Sequence, residues 1–139
     1  MAAQAEGNAD NNQIQLSGDF EANTLSILQA PASVGNSVTV RVSGTNNGAA
    51  SIRYQPDPAW FEASAPGIVR QSGRKNSADL EIAGIGNLFG ITQRGTQNSV
   101  TGRISGTGNQ AAISQTGHSN RAVFTQTGTN NFVAIQQSM

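Results

Sequence analysis

His118, Asp79 and Glu81 are the side chains to which proton chemistry would first be assigned in this chain. His118 is the only histidine and stands in a turn, where a general base would need an orienting partner that the sequence does not supply. Asp79 and Glu81 share one outward strand face, with Arg103, Thr92 and Ser114 as expected neighbours in other units, a pattern of surface solvation rather than paired acid/base catalysis. Cysteine is absent, so neither disulfides nor thiolate metal sites contribute. No catalytic, metal or cofactor-binding residue is expected, and the chain reads as a non-enzyme. The chemistry that recurs is that of the primary amide, which donates and accepts hydrogen bonds at once.

The amides sit in a repeat. Gly73, Gly84, Gly95, Gly106, Gly117 and Gly128 are each followed three residues later by an asparagine, Asn76, Asn87, Asn98, Asn109, Asn120 and Asn131, so a Gly-x-x-Asn turn recurs at every eleventh position. Counting from each asparagine, the second position holds Ala78, Phe89, Val100, Ala111, Ala122 and Val133, and the fourth holds Leu80, Ile91, Gly102, Ile113, Phe124 and Ile135. Polar residues such as Asp79, Glu81, Thr101, Arg103, Ser114 and Thr125 alternate with them, which is the period of a half-buried strand. Glycine tolerates φ > 0 in the turn, and asparagine tolerates the left-handed region and bonds its local backbone.

One strand and one tight turn fill the interval between successive asparagines, so two units make a coil of 22 and the fold class is all-β, a two-sheet β-solenoid. The sixth position tests this. Gln71, Gln93, Gln115 and Gln137 then stack on one sheet at a spacing of 22, and Ile82, Ile104 and Gln126 stack on the other. Stacked amides bond to the amides above and below at the roughly 4.7–4.8 Å strand spacing, and an inward Gln is thereby satisfied. The expected amide ladder comprises Gln71, Gln93, Gln115, Gln126 and Gln137 with the six asparagines.

The first half carries a looser form. After an N-terminal segment, 1–11, irregular coils over 12–54 continue the series through Asn12, Asn23, Asn36 and Asn47, with Ile14, Leu16, Leu25, Ile27, Gln29, Val38, Val40, Val42, Ile52 and Tyr54 inward. An excursion over 55–67 contains Pro56, Pro58, Trp60, Phe61 and Pro66, and prolines do not fit paired central strands. Regular repeats occupy 68–139, giving eleven strand units in all.

Composition narrows the setting. With 5% aromatic and 12% charged residues, stability leans on backbone ladders and amide stacking more than on a broad core. No stretch approaches the roughly 20 apolar residues of a membrane span. Residues 1–65 carry six acidic and two basic side chains, net −4, and residues 66–139 the reverse, net +4, an asymmetry that fits either head-to-tail encounter of copies or simple solvation of both halves. Dispersed arginines, few aromatics and zero net charge argue against a nucleic-acid surface. Recurrent Asp for a calcium-binding spiral is missing from the turns.

The runs Gln93-Arg94-Gly95-Thr96-Gln97-Asn98-Ser99-Val100 and Gln115-Thr116-Gly117-His118-Ser119-Asn120-Arg121-Ala122 resemble the curlin repeat, Gln-x-Gly-x-x-Asn-x-Ala with a further Gln after the strand. The runs starting at Gln71 and Gln126 are similar, and the resemblance covers 68–137 well and 12–54 loosely. It extends to both the major and the nucleating subunits of that family. The resemblance implies a structural subunit of an extracellular curli amyloid fibre of bacterial biofilms, with other copies, other curlin subunits and the curli-type secretion and chaperone machinery as partners. The expected assembly edge is Val133, Ile135 and Gln137, onto which a second copy adds a first coil around Ile14, Leu16, Leu25 and Ile27. The competing reading is a soluble solenoid adhesin or binding module that uses the Trp60 loop, and concentration-dependent fibre growth separates the two.

Overall fold

The computed structural model describes residues 2–7, 11–19, 22–48 and 67–139. They form eleven strands: β1 (Ala2–Gly7), β2 (Gln13–Gly18), β3 (Thr24–Gln29), β4 (Ser37–Thr45), β5 (Ile68–Arg74), β6 (Ser77–Ile85), β7 (Leu88–Thr96), β8 (Ser99–Thr107), β9 (Gln110–His118), β10 (Arg121–Thr129) and β11 (Phe132–Ser138). Successive strands alternate between two parallel sheets, an odd sheet ordered β1-β3-β5-β7-β9-β11 and an even sheet ordered β10-β8-β6-β4-β2. The chain is therefore a β-solenoid of about five coils with about 22 residues in each. Alternation of side chains produces this: β6 and β10 bury every second residue, and those residues face the opposite sheet.

Register stacks like on like. Val40, Leu80, Gly102 and Phe124 share one inward column of the even sheet, and Ile27, Val69, Ile91, Ile113 and Ile135 share one of the odd sheet. Gly102 makes room for its larger neighbour, since a Cβ there would lie 2.3 Å from Cζ of Phe124 and 2.8 Å from Cδ1 of Leu80. A phenyl ring and a hydrogen thus fill adjacent slots of a narrow interior at constant volume.

Turn chemistry differs from the sequence reading in one respect. The left-handed residue is the one before each asparagine: φ is 55° at Lys75, 60° at Gln97, 59° at Ser119 and 55° at Asn130, with Gly86 and Gly108 in the equivalent places. The asparagine itself is not left-handed; it is needed for what its side chain bonds.

The strand expected around Ile52 and Tyr54 lies outside the described residues, as do Trp60, Phe61 and the prolines of the excursion. Gly48 N–H donates to Asn87 O (2.7 Å) as Leu88 N–H donates to Asn109 O (2.8 Å), so Gly48 takes the start of a normal odd-sheet rung. Gly67 N–H donates to Phe89 O (2.7 Å), and Ile68 then pairs Ser26 on one side and Gly90 on the other. Taking out 49–66 would bring Asn47 and Asn76 to the same spacing that separates Asn76 from Asn87. Gly48 and Gly67 thus belong to one and the same rung. Deleting 49–66 and joining Gly48 to Gly67 is expected to preserve the β-sheet circular dichroism of the chain, and loss of that signal would show that residues 49–66 are needed to hold the rung.

Outward does not always mean solvated. On the even sheet Asp79, Glu81, Thr101 and Arg103 are exposed, but on the odd sheet Leu88, Gly90, Thr92 and Ala112 are buried. Thr92, expected in solvent beside Ser114, is 3% exposed and Ser114 is half-buried. The outward run of β7 and β9 mixes Leu88, Gly90 and Ala112 with Thr92 and Ser114, and period alone does not distinguish a covered outer face from a bare one.

Candidate assembly surface

Each coil turns two corners, and an asparagine stands at each. Asn12, Asn36, Asn76, Asn98 and Asn120 precede the even-sheet strands, and Asn23, Asn47, Asn87, Asn109 and Asn131 precede the odd-sheet strands β3, β5, β7, β9 and β11. All but the first and last of these, Asn12 and Asn131, are buried. At the first corner the backbone N–H groups of Asn36, Asn76, Asn98 and Asn120 donate to Oδ1 of the preceding asparagine at 2.9, 2.8, 3.1 and 3.1 Å. At the second corner Asn47, Asn87, Asn109 and Asn131 do the same at 2.8, 3.0, 3.0 and 3.0 Å. Each corner Nδ2 from Asn76 to Asn109 turns to carbonyls that the corner would otherwise strand: Asn98 Nδ2 donates to Arg94 O and Gly117 O, both at 3.1 Å. A tight corner cannot close its own backbone hydrogen bonds, and one amide per corner supplies both the acceptor and the donors.

Inside the odd sheet runs a second column. Gln29 Nε2 donates to Gln71 Oε1 (3.1 Å), Gln71 to Gln93 (2.8 Å), Gln93 to Gln115 (2.9 Å) and Gln115 to Gln137 (2.7 Å). The Nε2 groups of Gln71, Gln93, Gln115 and Gln137 also reach across the interior to Ser37 O, Ser77 O, Ser99 O and Arg121 O. Gln71, Gln93 and Gln115 are almost fully buried and satisfied in this way. Gln126 lies, as its spacing implied, in the even sheet beside Ile104, where its Nε2 donates to Gln110 O (3.0 Å). Gln29 was not among the expected ladder residues, although its place six residues after Asn23 is the signal that finds it.

The column has direction. From Gln29 to Gln115 every Nε2 points toward the β11 end and every Oε1 toward the β1 end. Among the described residues, Gln29 Oε1 and Gln126 Oε1 are the buried side-chain atoms without a hydrogen-bond partner, and they lie near opposite ends of the spiral. The turn glycines form columns too: Gly73 faces Gly95, Gly95 faces Gly117, Gly84 faces Gly106 and Gly106 faces Gly128, with backbone in each case where a Cβ would go.

Of the expected edge residues, Val133, Ile135 and Gln137 lie on β11 at one end of the odd sheet, half-buried, and Ile14 and Leu16 lie on β2 at the other end of the even sheet. Leu25 and Ile27 are not at an edge, because β1 pairs with β3. The titratable groups are not brought together. His118 is exposed at the end of β9 in the odd sheet, whereas Asp79 and Glu81 lie on the even sheet. Their neighbours there are Arg41, whose Nη1 is 3.3 Å from Asp79 Oδ1, and Arg103, whose Nε is 4.0 Å from Glu81 Oε1. Thr92 and Ser114, expected beside them, belong to the other sheet. These ion pairs are about half-exposed and are worth roughly 0–1 kcal/mol each.

The geometry defines a class of protein, a β-solenoid whose corners and interior are held by stacked amides. Residues 106–138, from the end of β8 through β11, match the family model of the curlin-associated repeat. Comparison with curated proteins and with solved structures gave no match.

Proposed function

We propose that this chain is a structural subunit of an extracellular curli-type amyloid fibre at a bacterial cell surface, where the fibre serves the biofilm matrix and adhesion. Its partners are other copies, other curlin subunits, and secretion and chaperone machinery of the curli type. The observation that carries the reading is the continuity of the two asparagine columns and the glutamine column up to Asn120, Asn131 and Gln137, beside strands that end their sheets. A strand at a sheet edge presents a row of backbone donors and acceptors, and here the row comes with side-chain amides already in register. Growth is edge-to-edge addition, with the chain itself as the only substrate.

Fibre growth with rising concentration tests this. Freshly desalted protein should pass after a lag to dye-binding fibres whose diffraction shows the roughly 4.7–4.8 Å spacing along the fibre axis. The double variant Gln93→Leu/Gln115→Leu should elongate roughly thirtyfold more slowly, because it removes two stacked amides worth about 1 kcal/mol each while keeping approximate shape. A chain that stays monomeric at every concentration would overturn the reading.

A further inference from the structure

We infer that β1 is a self-cap: residues 2–7 occupy on β3 the place that β11 of a second copy takes in the fibre, and must leave it before copies join end to end. This rests on the fibre reading above and adds to it a barrier within the subunit.

Strand parity carries the first part of the argument. The odd sheet holds six described strands and the even sheet five, so β1 and β11 both lie in the odd sheet. Along a two-sheet spiral the rungs must alternate. A copy that keeps β1 and sets it on β11 of another places its β2 two strand spacings from β10, and the even sheet is left with an empty slot about 4.8 Å wide at each junction. A copy whose β1 has left sets β2 on β10 and β3 on β11 with every rung filled. The described strands β2 to β11 of each copy then contribute five to each sheet, and the spiral runs on without a break between them.

The side-chain columns agree with the second arrangement. Extending the register brings Val133 beside Leu25, Ile135 beside Ile27 and Gln137 beside Gln29 in the odd sheet, and Ala122 beside Ile14 and Phe124 beside Leu16 in the even sheet. The cap supplies less. Ala3, Ala5 and Gly7 hold the register positions opposite Leu25, Ile27 and Gln29. Gly7 has no amide to offer, and Gln29 Oε1 is the buried acceptor left without a partner. Gln137 Nε2 of an incoming copy would bond it, as four successive glutamines already do for their neighbours at 2.7–3.1 Å. At the corners, the N–H groups of Asn12 and Asn23 would donate to Oδ1 of Asn120 and Asn131, repeating the bonds of Asn36 and Asn47. The exchange replaces a strand that offers alanine and glycine at these positions with one that offers Val133, Ile135 and Gln137, so the cap delays assembly without being able to outcompete it at high concentration.

A reversible lock tests the inference. Gln4 and Ser26 are register partners on β1 and β3, and the chain has no cysteine of its own, so Gln4→Cys/Ser26→Cys introduces a single possible intramolecular disulfide. The oxidised protein should add to preformed wild-type seeds at least about tenfold more slowly than the same protein reduced, because the competent fraction is removed. Deleting residues 2–11 should shorten the lag, and Gly7→Gln should lengthen it by completing the glutamine column. If oxidised and reduced protein elongate at the same rate, or if the disulfide fails to form, the cap is overturned while the fibre reading stands. If the reduced protein, the deletion and the wild type all fail to form fibres, the fibre reading falls and takes the cap with it.

Discussion

Gly95→Ala is expected to destabilise the solenoid by about 3 kcal/mol or more, a large share of the roughly 5–15 kcal/mol that holds a domain. Gly95 has φ of 113°, a region nearly closed to residues with a side chain, and a Cβ there would lie 1.9 Å from the carbonyl oxygen of Gly117 in the next coil. That oxygen is backbone, and it also accepts from Asn98 Nδ2, so it cannot retreat without opening the corner. Gly35→Ala is the matched control. Its φ is 66°, and the nearest atom to its Cβ would be Cγ of Lys75 at 3.7 Å, so only the left-handed backbone penalty of about 1 kcal/mol applies. Urea denaturation of freshly prepared protein measures the difference. Equal midpoints for the two variants would show that the corner at Gly95 is not the close stack described. Because each coil touches only its neighbours, damage at Gly95 should also divide the spiral into two weakly coupled parts and broaden the transition.

The asparagine columns give the second large effect. Asn98→Ala removes donors to Arg94 O and Gly117 O and deprives the N–H and Nδ2 of Asn120 of Asn98 Oδ1, to which they donate at 3.1 and 3.0 Å. A buried polar group left without its partner costs about 1–3 kcal/mol, so a loss of about 3 kcal/mol is expected from this single truncation. Asn131→Ala, at the exposed end of the second column, should cost about 1 kcal/mol or less, since water replaces what the side chain gave. The two variants, compared by denaturant midpoint and by elongation on wild-type seeds, separate interior from edge. An Asn98→Ala variant no weaker than Asn131→Ala would mean that the column does not carry the corners.

A repeat built from one strand and one turn contains nearly everything needed to infer strands, turns and sheets, because each coil meets only copies of itself and local pattern becomes global structure. The inward places of Ile91, Ile113 and Ile135 and the stacking of Gln71 on Gln93 followed from period alone. Other features were not legible in this way. Ala2–Gly7 has only alanine and glycine at its apolar positions, a weak strand signal, so β1 emerges only from its pairing with β3. Gly48 and Gly67, well separated in the chain, lie on one rung, and they can be placed only by the backbone bonds they make to β7 and its preceding turn.

The sequence by itself determined the solenoid, its two-unit coil and the identity of the amides, since a fixed spacing of glycine, asparagine and alternating apolar residues admits one strand-and-turn unit and one way to stack it. The tertiary structure alone decided which groups those amides satisfy, which outward faces are covered, and which strands end each sheet. Those depend on contacts between residues far apart in the chain, such as Gln29 with Gln71 and Gln93 with Ser77, and on the number of strands on each side of the spiral, neither of which any single repeat contains.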